Sequence, residues 1–92
     1  MSAFPILSRF QYDCHVKVVE AEPAQSIDDL AAACAYHSIG LHVKDQPGRI
    51  LRVRPTSDAD DAEPWPREMT VAEAGIKYFD SIDIYFTDPG AP

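Results

Sequence analysis

The chain has 92 residues, enough for a single domain (residues 1–92) with one modest core. Its formal net charge of −7 argues against a nucleic-acid binder, which needs a basic face to displace counterions, and disfavours adsorption to an anionic membrane. No run approaches the ~20 apolar residues of a spanning helix, no signal peptide is evident, and Cys14 and Cys34 are too few for a disulfide framework, so they read as free thiols in a cytoplasmic protein, with a single Cys14–Cys34 bridge left open if the second strand and the helix face each other.

Residues 3–10 read as a first strand, with Phe4, Ile6, Ser8 and Phe10 on one side and Pro5 near its start. Gln11, Tyr12 and Asp13 then form a short turn. Residues 14–20 alternate as a second strand, with Cys14, Val16 and Val18 facing one way and His15, Lys17 and Val19 the other. The pair is expected to form a hairpin.

Glu22-Pro23-Ala24-Gln25 breaks the strand, and Ser26 is a suitable N-cap. Asp28 and Asp29 follow in the first turn, where negative charge meets the helix dipole. A helix is expected over residues 27–38, burying Ile27, Leu30, Ala31, Cys34 and Ser38 at helical spacing, with Gly40 as its stop. The run Ala31-Ala32-Ala33 keeps the helix thin enough to lie close to a sheet.

Residues 41–46 connect to a Pro47-Gly48 turn, and residues 49–54 read as a third strand with Leu51 and Val53 on one face. Pro55 ends it. The acidic segment 57–63 offers nothing to bury. Pro64-Trp65-Pro66 reads as a short edge strand. Thr70 and Glu73 have capping-box spacing, and Gly75 stops that helix after about one turn. Ile82, Ile84 and Phe86 face the core from a closing strand, with Asp83 and Tyr85 opposite, and residues 88–92 form a tail after an ordered region of about 3–87.

The order points to an α+β, ubiquitin-like β-grasp domain. A mixed sheet of four to five strands packs on one main helix, a one-turn helix is added, and the first and last strands lie side by side in the middle.

Little in this order carries catalysis. His15 on a strand, His37 at a helix end and His42 in a connector share no metal-ligand spacing. Asp28-Asp29 is explained by the helix start and Asp60-Asp61 by a solvated loop. No nucleophile signature, Gly-rich phosphate loop or four-cysteine cluster is present. Arg49, Arg52, Arg54 and Arg67 are the basic cluster of an acidic chain. They read either as a solvated face or as a docking stripe for carboxylates. Trp65, between two prolines, is either a lid on the core or an exposed anchor for a partner.

Phe4-Pro5-Ile6, Phe10, Ser26-Ile27-Asp28-Asp29-Leu30-Ala31 and Ala35-Tyr36-His37-Ser38 carry a resemblance. So do the run from Gln46-Pro47-Gly48 through Arg54 and the run from Pro66-Arg67-Glu68 through Gly75. Across nearly its whole length the chain resembles the small gamma ("B") subunit of soluble four-component di-iron monooxygenases, which include toluene, o-xylene, alkene and isoprene monooxygenases. The resemblance implies a ubiquitin-like fold and a place in an (αβγ)2 hydroxylase of an NADH-dependent oxidoreductase system. It implies alpha and beta subunits as partners and a di-iron centre held by alpha. No catalytic, cofactor or metal residue is carried over to this chain. The substrate class it implies is a small aromatic or alkene hydrocarbon, isoprene among them. The role implied here is docking on alpha and stabilising it, through an interface expected at Arg49, Arg52, Arg54, Trp65 and Arg67. Two other readings stay open: a β-grasp interaction domain of another complex, and a ubiquitin-like modifier or sulfur carrier. The tail Asp88-Pro89-Gly90-Ala91-Pro92 lacks the Gly-Gly end that the modifier requires.

Overall fold

In the computed structural model, residues 2–57 and 62–90 are described. The elements run β1 (Phe4–Phe10), β2 (Lys17–Ala21), α1 (Ile27–Tyr36), β3 (Ile50–Pro55), α2 (Val71–Ala74) and β4 (Ser81–Thr87). Residues 58–61 of the acidic segment and 91–92 of the tail lie outside that range.

Alternating side chains place Ile6, Ser8 and Phe10 of β1 on the same buried face as Ile82, Ile84 and Phe86 of β4. The two strands pair in parallel, with Leu7 opposite Ser81 and Phe10 opposite Ile84. β2 adds to β1 and β3 to β4, both antiparallel, giving the four-stranded order β2-β1-β4-β3. The first and last strands are therefore central, as the chain order implies. A parallel pair needs a long crossover, and the segment carrying α1, β3 and α2 supplies it. Ile27, Leu30, Ala31 and Cys34 of α1 close over the sheet face together with Val19, Ala21, Val53 and Val71. Phe10 and Phe86 meet edge to face with centroids 5.7 Å apart, a favoured aromatic geometry.

Caps and turns follow the sequence closely. The Ser26 hydroxyl accepts the Asp29 amide at 3.0 Å, fixing the start of α1. At α2, Thr70 Oγ1 accepts the Glu73 amide at 3.1 Å and the Thr70 amide donates to Glu73 Oε1 at 3.0 Å, a complete capping box. Gly75 closes α2 in the left-handed region at φ 77°. Gly48 sits at φ 85° after Pro47, and the Arg49 amide donates to the Gln46 carbonyl at 3.2 Å. That is the arrangement in which proline presets one turn position and glycine the next.

Three expectations are corrected. β2 begins at Lys17, and residues 11–16 form a longer loop, so Cys14 and His15 lie off the strand. Tyr12 turns the chain at φ 70°, and the Asp13 carboxylate accepts the His15 amide at 2.9 Å, which diverts the backbone from pairing. α1 ends at Tyr36, with His37 rather than Gly40 as its cap. The Ser38 carbonyl takes the amides of Leu41, His42 and Val43 at 3.0–3.2 Å, winding the chain into a turn before Gly40 can end a helix. Residues 64–66 are not a strand. Pro64 and Pro66 have no N–H to give, so the segment makes one ladder-like bond, from the Trp65 amide to the Val53 carbonyl at 2.9 Å. Among the described residues no helix is long and apolar enough to cross a membrane.

Candidate functional site

The face of the sheet turned away from α1 carries the basic residues. Strand register puts Arg9 and Arg54 on either side of Asp83 and places Arg52 opposite Tyr85. Asp83 is only 8% exposed. One of its oxygens accepts the Thr56 hydroxyl at 2.7 Å. Arg9 Nε approaches that oxygen at 3.7 Å, and Arg54 Nε approaches the other at 3.7 Å. Burial of a carboxylate is costly unless it is paired, so the arginines and the threonine make this position possible. The Arg54 guanidinium also lies 4.8 Å from the centre of the Tyr85 ring, a cation–π distance.

Arg52 Nη2 donates to the Trp65 carbonyl at 3.3 Å. Trp65 itself is half-buried against the core cluster.

The structure separates the other two arginines. Arg49 lies at the far end of the sheet, 3.3 Å from Asp88, and donates to Gln46 Oε1 at 2.9 Å. Arg67 is on the helical side. It holds Asp28 through both carboxylate oxygens at 2.9 and 2.8 Å, a fork-to-fork pair. Asp28 raises the Arg67 pKa above its ordinary value, first through that hydrogen bond and then through its charge. The stripe read from sequence thus resolves into Arg52 and Arg54, joined by Arg9. The signal for Arg9 was its alternation against Ser8 and Phe10; its nearness to Arg54 depended on the parallel β1–β4 register.

A cleft of about 420 Å³ runs from this face to the 11–16 loop, lined by Arg9, Tyr12, Cys14, His15, Arg54 and Tyr85 among others. The loop is anchored by Asp13. Its Oδ2 accepts the buried Ser38 hydroxyl at 2.7 Å and lies 3.3 Å from Lys17 Nζ. Burial would raise the Asp13 pKa; bonds from the His15 amide, Ser38 and Lys17 outweigh it and bring the carboxyl down to about 2. At the C-terminal end of α1, Tyr36 and Leu41 are 79% and 68% exposed beside Ala32, Ala35 and Ile39. That is an apolar patch of the kind partners cover.

The arrangement is suited to contact rather than to covalent chemistry. It offers two guanidinium groups flanking Asp83, the half-buried Tyr85 ring and a separate apolar patch.

Known proteins match both sequence and fold. The family described as toluene-4-monooxygenase system protein B (TmoB) matches residues 3–86. The gamma subunit of the hydroxylase component of the toluene-4-monooxygenase system of Ectopseudomonas mendocina is 35% identical over 88 residues, covering 96% of this chain and 100% of that protein. A chain in the solved structure of a toluene 4-monooxygenase HD complex with the inhibitor 4-bromobenzoate superposes with a TM-score of 0.84. It is also 35% identical, covering 94% of this chain and 100% of that one. With sequence, length and fold in agreement from end to end, the chain belongs to the toluene-4-monooxygenase system protein B family.

Proposed function

We propose that this protein is the gamma subunit of a di-iron monooxygenase hydroxylase that oxidises a small hydrocarbon, aromatic or alkene. It docks on the alpha subunit and stabilises it within an (αβγ)2 assembly. The carrying observation is the full-length likeness, in sequence and fold, to a hydroxylase gamma subunit and to a chain taken from a hydroxylase complex. The oxygen chemistry and the di-iron centre are assigned to alpha, the compartment to the cytoplasm, and electron supply to NADH through the system's other components.

For docking we favour the open sheet face. Arg9, Arg52 and Arg54 concentrate positive charge there in a chain of net charge −7. A carboxylate-bearing segment of alpha would find paired guanidinium donors and the Tyr85 ring. Arginine and tyrosine are enriched at the centres of such interfaces. Arg49 and Trp65, beside the outer strand β3, are assigned to the rim of that face, whereas Arg67, on the helical side and held by Asp28, is assigned to a separate contact.

Expression with and without the large subunits tests the reading. The chain is expected to co-purify with an iron-containing alpha subunit in fixed ratio. Failure to do so would favour an interaction domain of another complex.

A further inference from the structure

We propose that Asp13, Cys14, His15 and His42 form a binding site for a borderline-soft divalent cation of the zinc type. The three contiguous residues bring a carboxylate oxygen, a thiol sulfur and an imidazole nitrogen within 4.8 Å of one another. Cys14 Sγ lies 3.3 Å from His15 Nδ1, and Asp13 Oδ1 lies 3.8 Å from the same nitrogen. In a tetrahedral site with metal–sulfur near 2.3 Å and metal–nitrogen or –oxygen near 2.0–2.1 Å, neighbouring donors sit roughly 3.3–3.6 Å apart. The Cys14–His15 pair already has that separation, and the Asp13–His15 pair needs only a small closure. A fourth donor would be His42 in the connector after α1, which lies beside the three-residue cluster rather than within it and must turn its ring inward to ligate. The His42 ring centre is 4.7 Å from that of His15, tilted by 44°.

The surroundings support the cluster as metal sites are generally supported. The Asp13 carboxylate is oriented by the Ser38 hydroxyl, Lys17 Nζ and the His15 amide. A carboxylate offers about four acceptor positions, so those three contacts leave one on Oδ1; the Asp13 side chain is itself fully covered, so an ion reaches that position only with movement of the 11–16 loop. Fixed orientation of a ligating carboxylate by outer hydrogen bonds is a recurring feature of such sites. Cys14 and His15 are exposed and line the open cleft, which gives an ion access. One thiolate, two imidazoles and a single carboxylate select zinc-type ions over magnesium or calcium, which take oxygen ligands. Binding exchanges the Cys14 S–H bond for a sulfur–metal bond and releases the proton to solvent. The bound ion ties the 11–16 loop to the connector holding His42, across the sequence gap that Asp13 and Ser38 also bridge.

The test titrates the full chain with Co²⁺ and then with Zn²⁺. One ion per chain is expected, with thiolate-to-cobalt charge-transfer absorption that Zn²⁺ abolishes by displacement. Cys14→Ser should remove the absorption, and His42→Ala should weaken binding by about tenfold or more. Cys34→Ala should retain both. Thermal melting without metal checks that each variant folds. Binding unchanged in Cys14→Ser, several weak ions per chain without thiolate absorption, or no binding at all would each overturn the proposal.

Discussion

The buried Ser38 hydroxyl donates to Asp13 Oδ2 at 2.7 Å, joining the loop after β1 to the turn after α1. These residues are 25 apart in sequence, and Lys17 adds a second tie by donating to the His37 carbonyl. A buried acceptor that loses its donor bears a desolvation cost, about 1–3 kcal/mol. Ser38→Ala is therefore expected to lower stability by that amount. Denaturant unfolding measures it, and a change below about 0.5 kcal/mol would show that Lys17 and the His15 amide hold Asp13 without help.

The capping box of α2 stitches the second half of the chain to the first. Around it, the Val71 amide donates to the Gln25 carbonyl at 2.8 Å and the Ile27 amide to the Met69 carbonyl at 2.8 Å. Thr70→Ala removes the cap and should cost about 0.5–2 kcal/mol. The box also has a pH signature. Glu73 is held below its ordinary pKa of 4.5 because its carboxylate accepts the Thr70 amide and then the Thr70 hydroxyl. A lowered folded-state pKa adds stability above the unfolded value, lost as pH falls through the folded one. Melting temperature against pH should therefore fall less below pH ~4.5 in Glu73→Gln than in the parent chain. Identical acid limbs would remove the cap from the account.

The two thiols should differ in reactivity. Cys14 is exposed and Cys34 fully buried. Burial pushes the Cys34 thiol up to about 11, with the Ser8 hydroxyl acting weakly the other way. Since the thiolate is the nucleophile, iodoacetamide near pH 8 should add once to the native chain, at Cys14, and twice in denaturant. Peptide mass spectrometry reads the sites. Two rapid native adducts would mean that the helix–sheet interface opens far more readily than its packing implies.

The arginines of the open face should separate into a structural and a docking member. Arg54→Glu sets a second carboxylate against Asp83, which is nearly buried, and should destabilise the free chain by about 1–3 kcal/mol. Arg52→Glu loses only the 3.3 Å bond to the Trp65 carbonyl and should change stability by less than about 1 kcal/mol. Its effect should appear instead as weaker association with alpha, measured by co-purification against Arg52→Lys. Equal association for Arg52→Glu and the parent would assign that side chain to solvent.

Local signals in the sequence were the most legible. Ser26, the Thr70–Glu73 pair, the Pro47-Gly48 turn and Gly75 each specify a conformation within a few residues, and each appears where expected. The core face of the central strands was legible for the same reason, as alternation at Ile6-Ser8-Phe10 and Ile82-Ile84-Phe86 needs no distant partner. What escaped were features set by contacts between segments. Asp13 takes Ser38 as its donor and so lengthens the loop and delays β2. Gly40 looked like the stop of α1, but the Ser38 carbonyl turns the chain first. Arg9 joined the basic face only through the parallel register with β4, and His42 met His15 only through the turn after α1.

Assembly is the central claim, and it is measured most directly by producing the hydroxylase with and without this chain. Iron content of the alpha subunit and hydrocarbon oxidation per alpha are read in both preparations. The account predicts that the chain co-purifies in a fixed ratio with alpha and beta, and that its omission leaves less assembled, iron-loaded and active hydroxylase. A fully assembled and fully active hydroxylase lacking this chain, or a chain that never co-purifies with alpha, would contradict it.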